Sequence, residues 1–245
     1  MSDDASSTSR NGFPTFPDSS RRSFLRAGIF GSLAAGLGIG AGDFLMSPDS
    51  AFAKTTLTPD EALKELVDGN QRFASGKLTA HEHDLAILKK KLVSNQEPFA
   101  SVLTCADSRI PVEMVFDQTI GRLFVTRVAG NMITPEIVGS LEFGAAVLGT
   151  KVILVLGHSD CGAVKAAIAN KTVPGQISSL YPHLQPAVDR GNHDLKTTTC
   201  ANAEIQARLL AESSTVVAGL VKEGQLKVVA GYYDIGSGSV TLLEA

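Results

Sequence analysis

Two short stretches carry residue types that can do chemistry together. Cys105-Ala106-Asp107-Ser108-Arg109 supplies a thiol, a carboxylate and a guanidinium, and Gly157-His158-Ser159-Asp160-Cys161-Gly162 supplies an imidazole and a second thiol. Two soft thiolates and one imidazole suit zinc. Their spacing is not that of a zinc finger, and structural zinc sites close on four strong ligands whereas catalytic ones keep a position for water. Taking Cys105, His158 and Cys161 as ligands therefore predicts a catalytic metal site, with Asp107 and Arg109 beside it. Taken singly, a buried cysteine is more often a small core residue, and it is the shared location of the three that argues for metal. Cys200 has no partner of matching position and is read as packing. His81 and His83, two apart, would point to different sides of a helix and make a poor metal pair. They are read as surface residues, and His183 and His193 are given no role.

The elements that must position these residues follow from hydrophobic patterning. After Pro98 come short apolar runs at 99–104, 123–128, 151–156 and 226–231, each bounded by Gly, Pro or charged residues. Continuous runs rich in Val, Ile and Leu, with helical stretches at 135–148, 161–170 and 198–222 between them, read as buried parallel strands. Residues 232–240 read as a strand turning back into a terminal hairpin strand. The predicted fold class is α/β, a mostly parallel β-sheet flanked by helices. Cys105 closes the first strand, and His158 and Cys161 lie just beyond the third. Both halves of the site thus meet at the carboxyl ends of the strands, where ligands sit in open parallel sheets.

Ahead of the sheet, Thr58, Pro59 and Glu61 form a helix-start signal with a capping box. Ala62, Leu63, Leu66, Val67 and Phe73 then recur at helical spacing. A second amphipathic stretch at 81–94 places Leu85, Leu88 and Leu92 inward and Lys89 to Lys91 in water.

The first 53 residues read as a targeting segment rather than as part of the fold. Ser20-Arg21-Arg22-Ser23-Phe24-Leu25-Arg26 precedes an uncharged Gly/Ala-rich stretch at 27–42, and Ala51-Phe52-Ala53 offers a small-x-small cleavage site. The paired arginines with the following Phe-Leu resemble the twin-arginine export signal. An uncleaved membrane anchor is the weaker reading, since the apolar stretch falls short of the ~20 residues needed to span and Asp43 interrupts it. The expected mature domain is 54–245, with cleavage after Ala53, export to the periplasm or another extracytoplasmic space, and no stable membrane span.

Composition agrees with one medium globular domain: 245 residues, 44% hydrophobic, with 23 glycines. The first 53 residues hold four of the 22 basic and five of the 25 acidic residues, which leaves a nearly neutral body and no nucleic-acid footprint. Three cysteines are too few for a disulfide scaffold, so metal binding or catalysis is the better use for two of them.

At these residues the chain resembles the β-class carbonic anhydrases. Cys-x-Asp-x-Arg at 105–109 and Gly-His-Ser-x-Cys-Gly at 157–162 are that family's two signatures. The resemblance extends over Gly69-Asn70-Gln71-Arg72-Phe73, Phe124-Val125-x-Arg127-Val128-Ala129-Gly130-Asn131, Ser140-Leu141-Glu142-Phe143 and Gly231-Tyr232-Tyr233-Asp234. It implies a zinc enzyme, one ion per chain, that interconverts carbon dioxide with bicarbonate and a proton. It also implies a homodimer or higher homo-oligomer in which N-terminal helices embrace the partner. By the same resemblance Ile110 lines an apolar pocket for carbon dioxide and the Gly162 backbone N–H contacts bicarbonate. Two positions depart from relatives: Val102 stands where bicarbonate-inhibited members carry tryptophan, and Thr119 where plant-type members carry a glutamine. Gln118, one position earlier, is left unassigned.

The chemistry asks for such residues. Carbon dioxide is a weak, uncharged electrophile, so a nucleophile must be made from water by lowering its pKa at a metal. An ionised Asp107 accepts hydrogen bonds only and would orient that water, while Arg109 keeps the carboxylate ionised and off the metal through a charge-assisted pair. Asp107 as a fourth ligand would close the site. The expectation is an open site near neutral pH, with Asp107 on Arg109 and activity rising with pH. Metal is expected to be loaded before export, because empty Cys105 and Cys161 would be open to oxidation. Three other readings stay open: a metal-free thiol enzyme with Cys105 as nucleophile and His158 as base, a zinc hydrolase of carbonyl sulfide or carbon disulfide on the same scaffold, and a non-catalytic binding module.

Overall fold

Helix α1, Pro59–Ala74, starts where the capping signal places it. In this computed structural model, which describes residues 55–80, 84–91 and 95–244, the Glu61 N–H donates to Thr58 Oγ1 at 3.3 Å and the Thr58 N–H donates to Glu61 Oε2 at 2.8 Å. Every described residue lies in one compact unit, Pro48–Ala245. Residues 1–54, including the export-signal reading and its cleavage point, lie outside the described residues, as do His81 and His83. Of the second amphipathic stretch the structure describes helix α2, Asp84–Lys91.

The apolar runs form the strands expected of them. These are β1 (Ala100–Thr104), β2 (Leu123–Arg127), β3 (Val152–His158), β4 (Lys227–Tyr233) and β5 (Val240–Leu243). The five-stranded sheet has the order β2-β1-β3-β4-β5, with β5 antiparallel and the other pairs parallel. Fold class and the terminal hairpin are as the sequence predicts. β1 and β3 are buried along their whole length, which is why both read as unbroken apolar runs rather than alternating ones.

Side chains on the central strands alternate between two cores. Val102, Leu154 and Leu156 face a core shared with Ala62 and Leu66 of α1 and with Ile110, Val112, Val115 and Phe116. Leu103, Ile153 and Val155 face the other, shared with Leu141, Ala203, Ala207, Leu210 and Val217. The first of these holds Cys105 and Cys161 as well, so the candidate site grows directly out of one face of the core.

Three helical details differ from the sequence reading. The stretch expected at 135–148 is helix α4, Pro135–Glu142, continued by a π-helical turn, Phe143–Val147; a short helix α3, Val112–Val115, precedes it. The long helix expected at 198–222 is two: α7, Leu195–Ser213, and α8, Thr215–Lys222. Ser214 breaks them, because its side chain accepts from the Val217 N–H at 3.0 Å while its hydroxyl donates to Glu142 at 2.6 Å. Capping a new helix outweighs continuing the old one. Helix α5 is Gly162–Ala169. The segment around His183, for which the sequence reading names no element, carries a 3-10 turn, Gly175–Leu180, and helix α6, Tyr181–Arg190. Pro182 sits in its first turn, where proline is tolerated, and Leu184, Ala187 and Val188 are buried at helical spacing.

Candidate metal centre

The parallel register brings the ligands level. Thr104 pairs with Leu156 across β1 and β3, so Cys105 leaves the sheet beside Gly157, and the Thr104 hydroxyl ties the strand ends by donating to the Leu156 carbonyl at 3.0 Å. His158 is the last residue of β3 itself, which runs two residues past the apolar run read at 151–156, and Cys161 caps the start of α5. In the order β2-β1-β3 the chain leaves β1 to one side and returns to the other at β3, so β1/β3 is the switch point where strand-end sites form.

Cys105, His158 and Cys161 offer one ligand atom each, all within 4.8 Å of one another, and all three residues are buried. The two sulfurs lie 4.0 Å apart. A tetrahedral zinc with bonds of about 2.3 Å to each sulfur would hold them about 3.8 Å apart, so the pair is already near the spacing required. His158 supplies the decisive detail. Its Nδ1 lies 2.9 Å from the Ser159 carbonyl oxygen, which only accepts, so Nδ1 carries the proton and Nε2 presents a lone pair. That Nε2 is buried and has no hydrogen-bond partner. A lone pair left so in a fully buried ring is costly unless a metal takes it. Donor chemistry, spacing and the orphaned nitrogen all fit zinc.

Without metal the two thiols compete for one proton. The bond from Cys161, with help from His158 and the Gly130 N–H, outweighs burial and holds the Cys105 thiol well below its ordinary range. Cys105 and burial together push Cys161 up. A cation between the sulfurs would relieve this competition by releasing that proton.

Asp107 and Arg109 stand beside the ligands as a bidentate pair. Arg109 Nε donates to Asp107 Oδ1 at 3.0 Å, Nη2 donates to Oδ2 at 2.8 Å, and the Arg109 backbone N–H donates to Oδ1 at 2.9 Å. These bonds hold the Asp107 carboxyl well below the usual carboxylate range against a partial burial that would raise it. Asp107 is thus paired with Arg109. Ile110 is fully buried in the core that contains both cysteines. Gly162 opens α5 with free space where a Cβ would lie.

Several residues that hold the site were not singled out from sequence. Arg127, at the end of β2, donates Nε to the Cys105 carbonyl at 3.0 Å and Nη2 to the Asp107 carbonyl, propping the loop that bears both. The Gly130 N–H donates to Cys105 Sγ. Asn202 of α7 fixes the Gly130 carbonyl at 2.8 Å, and Gln206 accepts from the Ile133 N–H at 2.8 Å. Ser159 accepts from the Ile235 N–H at 2.9 Å, which anchors the histidine loop to the turn after β4. Arg127 and Gly130 lie inside a motif already noted, and their charge and position after a strand were the available signals. Cys200 lies half-buried on α7 and Gln118 is buried, bonded to Glu65 at 3.1 Å; neither joins the ligand cluster.

Residues 100–240 match the profile of the carbonic anhydrase family. The chain is 32% identical over 192 residues to carbonic anhydrase 2 of Mycobacterium tuberculosis, a match that covers 75% of this chain and 92% of that protein. It is 34% identical over 195 residues to a carbonic anhydrase of Mycolicibacterium smegmatis, covering 75% and 93%. Among solved structures, a tetrameric β-carbonic anhydrase from Sordaria macrospora shares the fold with a TM-score of 0.62 at 22% identity, covering 75% of this chain and 97% of that one.

Proposed function

The chain belongs to the β-class carbonic anhydrase family, and from that premise we propose how its residues divide the work. The reaction is reversible hydration of carbon dioxide to bicarbonate and a proton, and the cofactor is zinc. Cys105 and Cys161 hold the metal through sulfur and His158 through Nε2. Zinc, when bound, supplies Lewis-acid activation of water near neutral pH. Asp107, kept ionised by Arg109, accepts a hydrogen bond from the attacking water and so aims its lone pair at carbon. Ile110 gives the uncharged substrate an apolar wall. The Gly162 N–H, at the N-terminus of α5, suits the anionic product.

The observation that carries this reading is the unpartnered His158 Nε2, buried next to two sulfurs 4.0 Å apart. The family membership disfavours a metal-free thiol enzyme. The test is zinc content alongside carbon dioxide hydration for the chain beginning at Lys54, compared with Asp107→Ala. One zinc per chain with hydration lost in the variant is expected; full hydration without zinc would overturn it. Turnover on carbonyl sulfide and carbon disulfide, measured beside carbon dioxide, decides the substrate range.

We also take residues 1–53 as a twin-arginine signal that delivers folded, zinc-loaded enzyme to the periplasm. The support is the order of paired arginines, weakly apolar Gly/Ala-rich stretch and Ala51-Phe52-Ala53. Among the described residues no helix is long and apolar enough to cross a membrane. Replacing Arg21 and Arg22 by lysine should leave the protein in the cytoplasmic fraction, and unchanged export would remove this reading. A homo-oligomer is supported by β2, an outer strand whose Phe124 and Val125 are only half-buried, next to Phe143, which is exposed. Sedimentation of the chain beginning at Lys54 as a monomer would count against it.

A further inference from the structure

Asp160 belongs neither to the ligand set nor to the Asp107–Arg109 pair, yet it reaches that pair from the other ligand loop. Arg109 spends Nε and Nη2 on the Asp107 carboxylate, which leaves Nη1 as the free edge of the guanidinium. That edge lies 3.7 Å from Asp160 Oδ2, and Nη2 also donates to the Asp160 carbonyl at 3.4 Å. Lys165, one turn into α5, pairs with the second carboxylate oxygen, Oδ1. Asp160 sits at a φ of 60°, a left-handed conformation that aspartate tolerates better than most residues. One guanidinium therefore touches the loop after β1 and the loop after β3 together.

We propose that Asp160 is a positioning residue for Arg109. By holding the guanidinium edge that Asp107 leaves free, it couples the loop bearing Cys105 to the loop bearing His158 and Cys161 and keeps Asp107 on Arg109 rather than on the metal. This rests on the roles given above to Asp107 and Arg109. With the Asp160 carboxylate gone, Arg109 retains the Asp107 carboxylate on its own loop and only the 3.4 Å bond to the backbone carbonyl at 160 across the cleft. The guanidinium is then held less firmly against Asp107, and the Asp107 oxygens gain access to the fourth metal position. The Arg109 and Asp160 side chains are 45% and 56% exposed, so the link is a bias: an exposed ion pair shifts a two-state balance about two- to fivefold.

The experiment uses cobalt-loaded protein, in which the visible absorption spectrum reports the ligands on the metal independently of turnover. Asp160→Ala should shift the spectrum toward that of Arg109→Ala, the reference in which Asp107 is released, and lower kcat about two- to fivefold with KM little changed. Asp160→Asn keeps an oxygen acceptor without the charge and should fall between Asp160→Ala and the parent; it also serves the comparison if the alanine variant loads metal poorly. A parental spectrum and kcat in metal-replete Asp160→Ala would overturn the inference and leave the functional reading standing. A parent protein that binds cobalt without thiolate charge-transfer absorption would overturn the ligand assignment, and this inference with it.

Discussion

The backbone N–H of Gly130 donates to the sulfur of Cys105 at 3.3 Å, and Gly130 holds a φ of +80° to do so. A side chain is unwelcome there on two counts. The left-handed region costs a non-glycine residue about 1–2 kcal/mol, and a Cβ would stand 3.1 Å from Leu184 Cδ2 and 3.4 Å from Ala163 Cβ. Gly130→Ala should therefore lose at least that much stability and also zinc affinity, because a backbone that relaxes moves the N–H off the thiolate. Urea unfolding and zinc competition with a chromophoric chelator check both. Parental zinc affinity in the variant would show that the N–H contributes nothing to the centre.

The ligand thiols set a second expectation. Cys105 and Cys161 are free, buried and 4.0 Å apart at sulfur, whereas Cys200 is half-buried on α7 and outside the ligand cluster. Chelator-stripped protein held in air should lose the two ligand thiols to a Cys105–Cys161 disulfide and keep Cys200 titratable after denaturation, while zinc-loaded protein keeps every thiol. Loss of Cys200 in place of the pair would contradict this. The same chemistry is the reason that the proposed export would follow metal loading.

What was legible in the sequence follows from range of interaction. β1 and β3 are buried on both faces, so their apolar runs announce them, and a strand end is a local feature that places Cys105 and His158. The α1 start was equally legible, since Thr58 and Glu61 satisfy each other within one turn. Ser214 was less so: its cap on Val217 is local, but the bond to Glu142 that fixes it comes from 72 residues away, and a serine alone inside a helical pattern reads as a tolerated polar residue. α6 was hidden by Pro186, which would normally argue against a helix. Arg127, Asn202 and Asp160 act across loops that only the folded sheet brings together.

Gly69 is a case where the sequence motif had no visible reason and the fold supplies one. A Cβ at this position of α1 would lie 1.9 Å from the Phe116 carbonyl oxygen, because α1 packs its backbone against the end of α3. Next to it, buried Asn70 donates to the Val115 carbonyl at 3.1 Å and to the Gly238 carbonyl at 2.9 Å, and accepts from the Val240 N–H at 2.8 Å. Gly69→Ala must push α1 away and stretch those bonds together, so we expect a loss of about 3 kcal/mol or more, the order of an overpacked core with a broken buried hydrogen bond. Calorimetry checks this; a variant within ~0.5 kcal/mol of the parent, the scatter of surface substitutions, would mean that α1 is not held as described.

Asp117 links the same helix to the pH of the medium. Its carboxylate is fully buried, at 0% side-chain exposure, and accepts from Arg72 Nε at 2.5 Å, from the Thr79 N–H at 2.9 Å and from the Ala80 N–H at 3.0 Å. Burial pushes this carboxyl up, but the Arg72 guanidinium and the Thr79 and Ala80 donors outweigh it and hold the group at about 2. An unfolded aspartate titrates at about 3.9. The folded value is the lower one, so the contribution is fully present above the unfolded pKa and is lost as pH falls from about 4 toward 2. A shift of this size is worth about 2–3 kcal/mol at neutral pH. Asp117→Asn tolerates the same left-handed backbone, φ 46°, and, like protonation, removes the charge and turns one acceptor oxygen into a donor. The variant should be less stable than the parent by that amount at pH 7, and the two unfolding curves should converge as the pH drops through this window. A stability gap that stays constant from pH 7 to pH 2 would assign the cost to lost packing and remove Asp117 from the acid limb of the enzyme's stability.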